Sequence, residues 1–232
     1  MHRRDRPERR RREVRSASPT GPVCVGPYTG PMTGTAGPDA GNHHHAGTLG
    51  LRAVLVPVKS FAAAKQRLGA ALPDDERRLL VQTMAARVLL AASPLPVAVV
   101  CDDSEVASWA RQHGALVVWE PGRGLNGAVE AGVARLADLG VDEVTVVHAD
   151  LPLAREIGSL EPFEGLTLVP DRQDDGTNLI RLPSRCGFRF SYGPGSFARH
   201  LQEGGRLALP VTVVRKPELA FDVDWPADLT TR

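Results

Sequence analysis

From Leu51 onward the chain alternates two spacings of apolar residues, and each predicts one kind of element. Short runs that are apolar at consecutive positions and rich in valine read as strands buried on both faces: residues 53–58, Val97–Cys101, Leu116–Trp119 and 143–150. Between them lie helical spacings. Pro73, Asp74 and Asp75 open a helix with an apolar stripe at Leu79, Leu80, Met84, Val88 and Leu89 that ends before Pro94. Ser104 is placed to cap a second helix running to His113 and closed by Gly114, and a third spans about 128–139. The second half is less regular, with strands expected at Leu166–Pro170, 178–182 and 188–192, a helix at 196–203, and extended pieces at 211–214 and 220–225. Strands alternating with helices predict an α/β fold, a single domain with a mostly parallel, mixed sheet flanked by helices. Ligands of such sheets bind beyond the carboxyl ends of the strands. The loops after Val58, Cys101, Trp119 and Val147 are therefore expected to converge on one cleft.

The first fifty residues break this pattern. An arginine run (Arg9, Arg10, Arg11, Arg12) gives way to a Gly/Pro/Thr-rich stretch ending in His43, His44 and His45, with too little apolar surface to offset the entropy of ordering. The expected division is a disordered, basic then Gly/Pro-rich extension over 1–50 and the α/β domain over 51–232. Eight arginines against four acids give the extension +4, which leaves −3 of the whole chain's +1 for residues 51–232. A domain of that charge is a poor nucleic-acid binder, although the arginine tail alone could touch an acidic partner. No long apolar run follows the arginines or occurs later, so neither a signal peptide nor a membrane span is expected. Cys24, Cys101 and Cys186 are odd in number and far apart, as in a cytoplasmic protein without disulfides.

Five constellations could carry chemistry. Lys59, Lys65 and Arg67 follow the first strand and suit a triphosphate, although an exposed basic loop reads the same way. The loop PGRGLNG offers Gly124, Leu125 and Asn126 to a flat base or ribose, or is a plain strand-to-helix connection. Asp150, just past the fourth strand, is placed to hold Mg²⁺ against phosphate oxygens or to cap a helix. Asp222 and Asp224 alternate in an extended segment and point the same way, with Phe221, Val223 and Trp225 opposite; with Asp150 they could form a two-metal clamp, or they are solvated edge-strand acids. Thr177, Gly193 and Ser196 together make a small-anion site at a helix start, with Arg199 and His200 close by on that helix.

In order along the chain, VPVKSFAAAKQRL, GLN, HADLP, DDGTN, YGPGS and FDVDWPADL resemble the 2-phospho-L-lactate guanylyltransferase family, including its phosphoenolpyruvate guanylyltransferase branch. The resemblance covers nearly all of 51–232. It implies a glycosyltransferase-A-like, Rossmann-like nucleotidyltransferase fold and transfer of GMP from GTP to a small phosphorylated acid in coenzyme F-420 biosynthesis. The Arg/Ala/Gly-rich composition looks like that of a high-GC bacterial source, which within the resemblance tilts the acid toward phosphoenolpyruvate, with 2-phospho-L-lactate or 3-phosphoglycerate as alternatives. By resemblance Thr177, Gly193 and Ser196 bind the acid, Asp150, Asp222 and Asp224 hold Mg²⁺, and Lys59, Lys65 and Arg67 face the nucleotide. Lys65 and Asp150 take the catalytic roles. GTP and the acid are the partners, with a homodimer allowed. Two departures stand out: 153–164 is short for the helix the family carries after DLP, and the first fifty residues have no family counterpart. A sugar- or molybdopterin-type nucleotidyltransferase is a competing enzyme reading, and a nucleotide- or RNA-binding module is a non-enzymatic one.

Overall fold

The computed structural model describes residues 50–161 and 164–230, so the extension over 1–49, with Cys24 and the histidine triplet, lies outside the described residues. Seven strands form one sheet: β1 (Arg52–Pro57), β2 (Val97–Cys101), β3 (Leu116–Trp119), β4 (Glu143–Val147), β5 (Leu166–Pro170), β6 (Thr177–Pro183) and β7 (Val211–Val213). Their order is β3-β2-β1-β4-β6-β5-β7. All neighbouring pairs are parallel except those of β6, which runs against both β4 and β5. The chain leaves β1 toward β2 and β3, then returns to the other side of β1 for β4. That reversal leaves a crevice at the carboxyl ends of β1 and β4.

Consecutive strand residues enter two separate cores, which is why these runs are apolar at every position. Val54, Val56, Val99, Cys101 and Val147 join the core under α1 (Asp74–Ala91) and α2 (Ser104–Gln112). Ala53, Leu55, Ala98, Val100, Val144 and Val146 join the opposite core under α3 (Gly124–Asp138) and α4 (Ser196–Arg206). The described elements also include a short α5 (Pro217–Ala220) and one-turn 3₁₀ helices at Gln66–Ala70 and Pro226–Thr230.

Several local expectations are corrected. Helix α2 is capped by Asp103, whose carboxylate accepts from the amides of Glu105 and Val106 at 2.9 and 3.2 Å, not by Ser104. On α1 the buried face runs through Val81, Met84, Ala85, Val88 and Leu89, and Leu79 faces outward at 63% exposure. Helix α3 starts at Gly124, so Leu125 and Asn126 belong to its first turn and not to a loop. Residues 188–192 and 220–225 pair with no strand. The first is held by side chains instead, with Phe188 edge-on to Phe190 at 5.1 Å and Phe190 stacked on Tyr192 at 5.9 Å between ring centroids.

Among the described residues of 151–161 there is no helix, in keeping with the shortness of that segment. Ala154, Ile157 and Leu160 are buried there in place of a helical face. Gly158 lets the backbone lie directly on the end of α1: a Cβ on it would stand 2.1 Å from the Ala92 carbonyl oxygen. Arg181, 1% exposed beneath the segment, donates to the carbonyl oxygens of Leu160 and Glu161.

Candidate active site

The cleft opens where the topology reverses, with a volume of about 330 Å³. It is lined by residues following all four parallel strands: Lys59 and Lys65 after β1, Asp102 after β2, Glu120 after β3, and His148 and Asp150 after β4. The four expected loops do converge.

The loop after β1 is pinned at both ends by burial. Phe61 is fully buried edge-on against Trp109 at 5.2 Å, and Leu68 is fully buried in the same core. The chain between them turns through Lys65 in the left-handed region, at φ 52°. For a non-glycine residue that conformation costs roughly 1–2 kcal/mol. It delivers the ammonium between two carboxylates, with Lys65 Nζ donating to Asp150 Oδ2 at 2.5 Å and to Asp224 Oδ1 at 2.7 Å. Burial pulls the lysine down, but the two neighbouring negative charges outweigh it and raise it above its ordinary range. Burial likewise pushes Asp150 up, but the charge and hydrogen bond of Lys65, with His148 and a backbone hydrogen bond, together outweigh it and hold the carboxyl low.

Asp224 is presented by a small scaffold. Asp228 accepts from the amides of Asp224 and Trp225 at 3.0 and 2.8 Å, and Arg172 pairs with Asp228 at 2.8 Å. Asp222 and Asp224 do share a side, because Phe221 and Val223 between and beside them are buried in the core. Trp225 does not join them: it is 56% exposed and covered by the guanidinium of Arg67, 4.8 Å from its ring centroid. Burial, and then the charge of Asp150, push Asp222 up to about 6. Asp150 Oδ1 is buried with no hydrogen-bond partner among the described residues, and no helix follows for Asp150 to cap. The Val223 amide donates to the Asp150 carbonyl at 3.3 Å and ties the two acidic segments together. Among the described residues no three acidic, histidine or cysteine side chains are disposed as a closed metal shell, since Lys65 stands between two of the three acids.

The fifth constellation gathers where the segment before β6 meets the start of α4, and Thr177, Gly193 and Ser196 are not among the residues lining the cleft. The Asp175 carbonyl accepts from the Phe197 amide and its carboxylate from the Gly195 amide, both at 3.0 Å, joining the segment before β6 to the start of α4. Gly193 stands at φ 118°, which side-chain-bearing residues rarely adopt. Ser196, 2% exposed, keeps its hydroxyl free of hydrogen bonds among the described residues. Thr177 bonds His200 Nδ1 at 3.0 Å, while the Ser191 amide donates to His200 Nε2 at 3.0 Å. His200 is therefore neutral with its proton on Nδ1, and burial, followed by the Arg199 charge, pushes it down to about 4. Arg199 donates to the Ser191 and Pro194 carbonyls at 2.7 and 2.6 Å, serving the loop's shape.

Two candidate residues are turned to other tasks. Asn126 accepts from the Tyr192 amide at 2.7 Å, bracing α3 against the 188–192 segment. Arg67 covers Trp225 and does not line the cleft. Sequence reasoning passed over Asp102 and Glu120, although both directly follow parallel strands, where the carboxyl-end rule points. Nor does His148 stand among the candidate residues read from the sequence. That ring lines the cleft and lies 4.9 Å from the Tyr192 ring, and its buried Nε2 is unpartnered among the described residues.

A sheet in this order, with lysine and carboxylates at the β1–β4 crevice, is the fold that solved nucleotidyltransferases share. A nucleotidyl transferase from Methanothermobacter superposes with a TM-score of 0.54 at 14% identity, covering 77% of this chain and 94% of its own. The chain belongs to the family of CofC-like guanylyl transferases, whose model matches residues 52–231. It is 40% identical over 184 residues to the phosphoenolpyruvate guanylyltransferase of Sphaerobacter thermophilus, covering 75% of this chain and 89% of that one. It is 29% identical over 182 residues to the 2-phospho-L-lactate guanylyltransferase of Methanocaldococcus jannaschii, covering 76% and 80%. No described helix is long and apolar enough to cross a membrane.

Proposed function

We propose that this chain transfers the guanylyl group of GTP to phosphoenolpyruvate in the cytoplasm, releasing diphosphate, as a step toward coenzyme F-420. The observation that carries this reading is Lys65 bridging Asp150 and Asp224 at the mouth of the cleft, in a chain 40% identical to a relative named for that activity.

In the reaction an oxygen of the acid's phosphate forms a bond to the α-phosphorus of GTP. The bond from that phosphorus to the bridging oxygen of the β-phosphate breaks, and its electron pair leaves with diphosphate. The attacking phosphate is already ionised and needs no general base. The obstacle is the meeting of two polyanions, whose repulsion at contact costs several kcal/mol at a protein-like dielectric, about 4 per charge pair. Lys59 and Lys65 supply positive charge on the nucleotide side of the cleft. Thr177, the Gly193 backbone and the free Ser196 hydroxyl hold and orient the acid in this reading, and positioning does most of the work.

Asp150, Asp222 and Asp224 suit Mg²⁺: the orphaned Asp150 Oδ1 and the raised Asp222 are what a hard cation with oxygen ligands relieves. When bound, Mg²⁺ neutralises charge on phosphate oxygens of the reactants. Lys65 must then release at least one carboxylate and turn its ammonium to the phosphates. The test is diphosphate release, with product mass, from purified protein, GTP and Mg²⁺ over a panel of phosphoenolpyruvate, 2-phospho-L-lactate and 3-phosphoglycerate. Efficient turnover of phosphoenolpyruvate alone supports the reading. Preference for 2-phospho-L-lactate moves it to the other branch, and no guanylyl transfer to any acid sinks it.

A further inference from the structure

The cleft that receives a polyanion in this reading also carries two carboxylates unconnected with the Asp150 group. Asp102 follows β2 and Glu120 follows β3, and both line the cleft. The backbone sets them side by side, since the Glu120 amide donates to the Cys101 carbonyl at 3.0 Å. Glu120 is aimed by Arg123, which pairs with one of its oxygens at 2.6 Å; its side chain is 21% exposed. Asp102 is half-buried, and its carboxylate has neither an ion pair nor a hydrogen bond among the described residues. Acids facing a triphosphate raise its binding cost, so their presence calls for a ligand group that donates hydrogen bonds.

Strand order says where on the ligand that group lies. From β4 the sequence across the sheet edge is β4, β1, β2, β3. At ~4.8 Å per strand, Asp102 and Glu120 lie about 10–14 Å from the Asp150 end, roughly the reach from an α-phosphate to the far edge of an attached base. Between these ends the cleft is walled by small and apolar side chains, including Val100, Ala63, Leu125 and Ala128, as a flat ring requires. At the phosphate end His148 Nε2 and Asp150 Oδ1 are buried without partners and close the same cleft, which independently marks it as a ligand site.

Resting on the GTP reading above, we propose that Asp102 and Glu120 read the nucleotide base, accepting hydrogen bonds from N1–H and the 2-amino group of guanine. Guanine alone among the common bases presents two adjacent donors on that edge, which a carboxylate can accept together. Adenine and cytosine would instead set a ring-nitrogen lone pair against the carboxylate. The acids thus both attract GTP and reject ATP and CTP.

The test compares GTP with inosine triphosphate, which keeps N1–H and lacks the 2-amino group, as kcat/KM for the wild type, Asp102→Asn, Glu120→Gln and the double variant. The wild type should favour GTP by roughly ten- to a hundredfold. That preference should fall to within about threefold of unity in the double variant and in at least one single variant, with KM for the acid unchanged. The proposal is overturned if the wild type does not distinguish the two nucleotides, or if every variant retains the preference. Should the double variant fail to fold, the single variants decide on the same criterion. A wild type that transfers no guanylyl group at all refutes the GTP reading itself, whereas one that transfers it with an unaltered preference in the variants refutes only the base-reading role.

Discussion

Lys65 donates to Asp150 at 2.5 Å across 85 residues of sequence, from the loop after β1 to the loop after β4. Adjacent parallel strands bring the pair together, and its geometry is sustained by a lysine held in a left-handed conformation between two buried anchors, Phe61 and Leu68. A surface ion pair would contribute about 0–1 kcal/mol and would not offset that strain. This one is largely buried, with 12% and 21% of the two side chains exposed. Its value lies in the charge it holds at the crevice.

Asp150→Asn keeps the shape and removes the charge. Turnover should fall by about two to four orders of magnitude, because the centre that gathers charge at the phosphates loses its buried carboxylate. The variant should still fold, since Lys65 retains Asp224. Steady-state diphosphate release and a thermal melt check both halves, and near-normal turnover would remove Asp150 from the chemistry.

Ser196→Ala should raise KM for the phosphorylated acid about tenfold, the loss of one hydrogen bond to a charged group, and leave KM for GTP within twofold. The Ser196 hydroxyl has no other partner among the described residues, so stability should hardly change. Equal effects on both substrates would argue against an acid site at the start of α4.

His200 links pH to stability. Its folded value of about 4 lies below the ordinary 6.5, so the unfolded chain takes up the proton first as the solution is acidified. The stabilisation is complete above pH 6.5 and is lost as pH falls toward 4, amounting to at most about 3 kcal/mol for this fully buried ring. Chemical denaturation at pH 7.5, 5.5 and 4.5 should show the loss in the wild type and a flatter profile in His200→Gln. Parallel profiles would show that other groups govern the acid limb.

Gly158→Ala should destabilise the fold by about 1–3 kcal/mol, because the new methyl meets the Ala92 and Ser93 carbonyl oxygens at 2.1 and 2.4 Å. Gly205→Ala, in α4 with nothing within 4 Å, should be neutral or stabilising by ~0.5 kcal/mol. Urea midpoints for the two variants test the contrast directly.

Removal of residues 1–48 should leave kcat and both KM values within twofold, since every residue assigned to the site falls between Lys59 and Asp224. A large loss of activity would give the arginine-rich extension a part in the reaction.

Much of this protein was legible along the chain. Valine-rich runs announced β1 to β4, and in β1, β2 and β4 the parallel sheet is covered by helices on both sides and leaves no polar face to alternate with, whereas β3, at the sheet edge, exposes Leu116 and Trp119. The carboxyl ends of those runs located the cleft, and motif order pointed to the family. What sequence could not decide was how each side chain is used once distant segments meet. Asn126 and Arg67 had suitable chemistry for a nucleotide, yet packing gives one the Tyr192 amide and the other the Trp225 face. Residues 188–192 and 220–225 had strand-like patterns, but pairing depends on where the fold brings a segment, and here side-chain contacts hold them and no strand pairs with either. The placing of Lys65 between Asp150 and Asp224 also belongs to the tertiary structure alone: the charges come from three loops, and only the sheet's reversal at β1 sets the distances that make them one electrostatic unit.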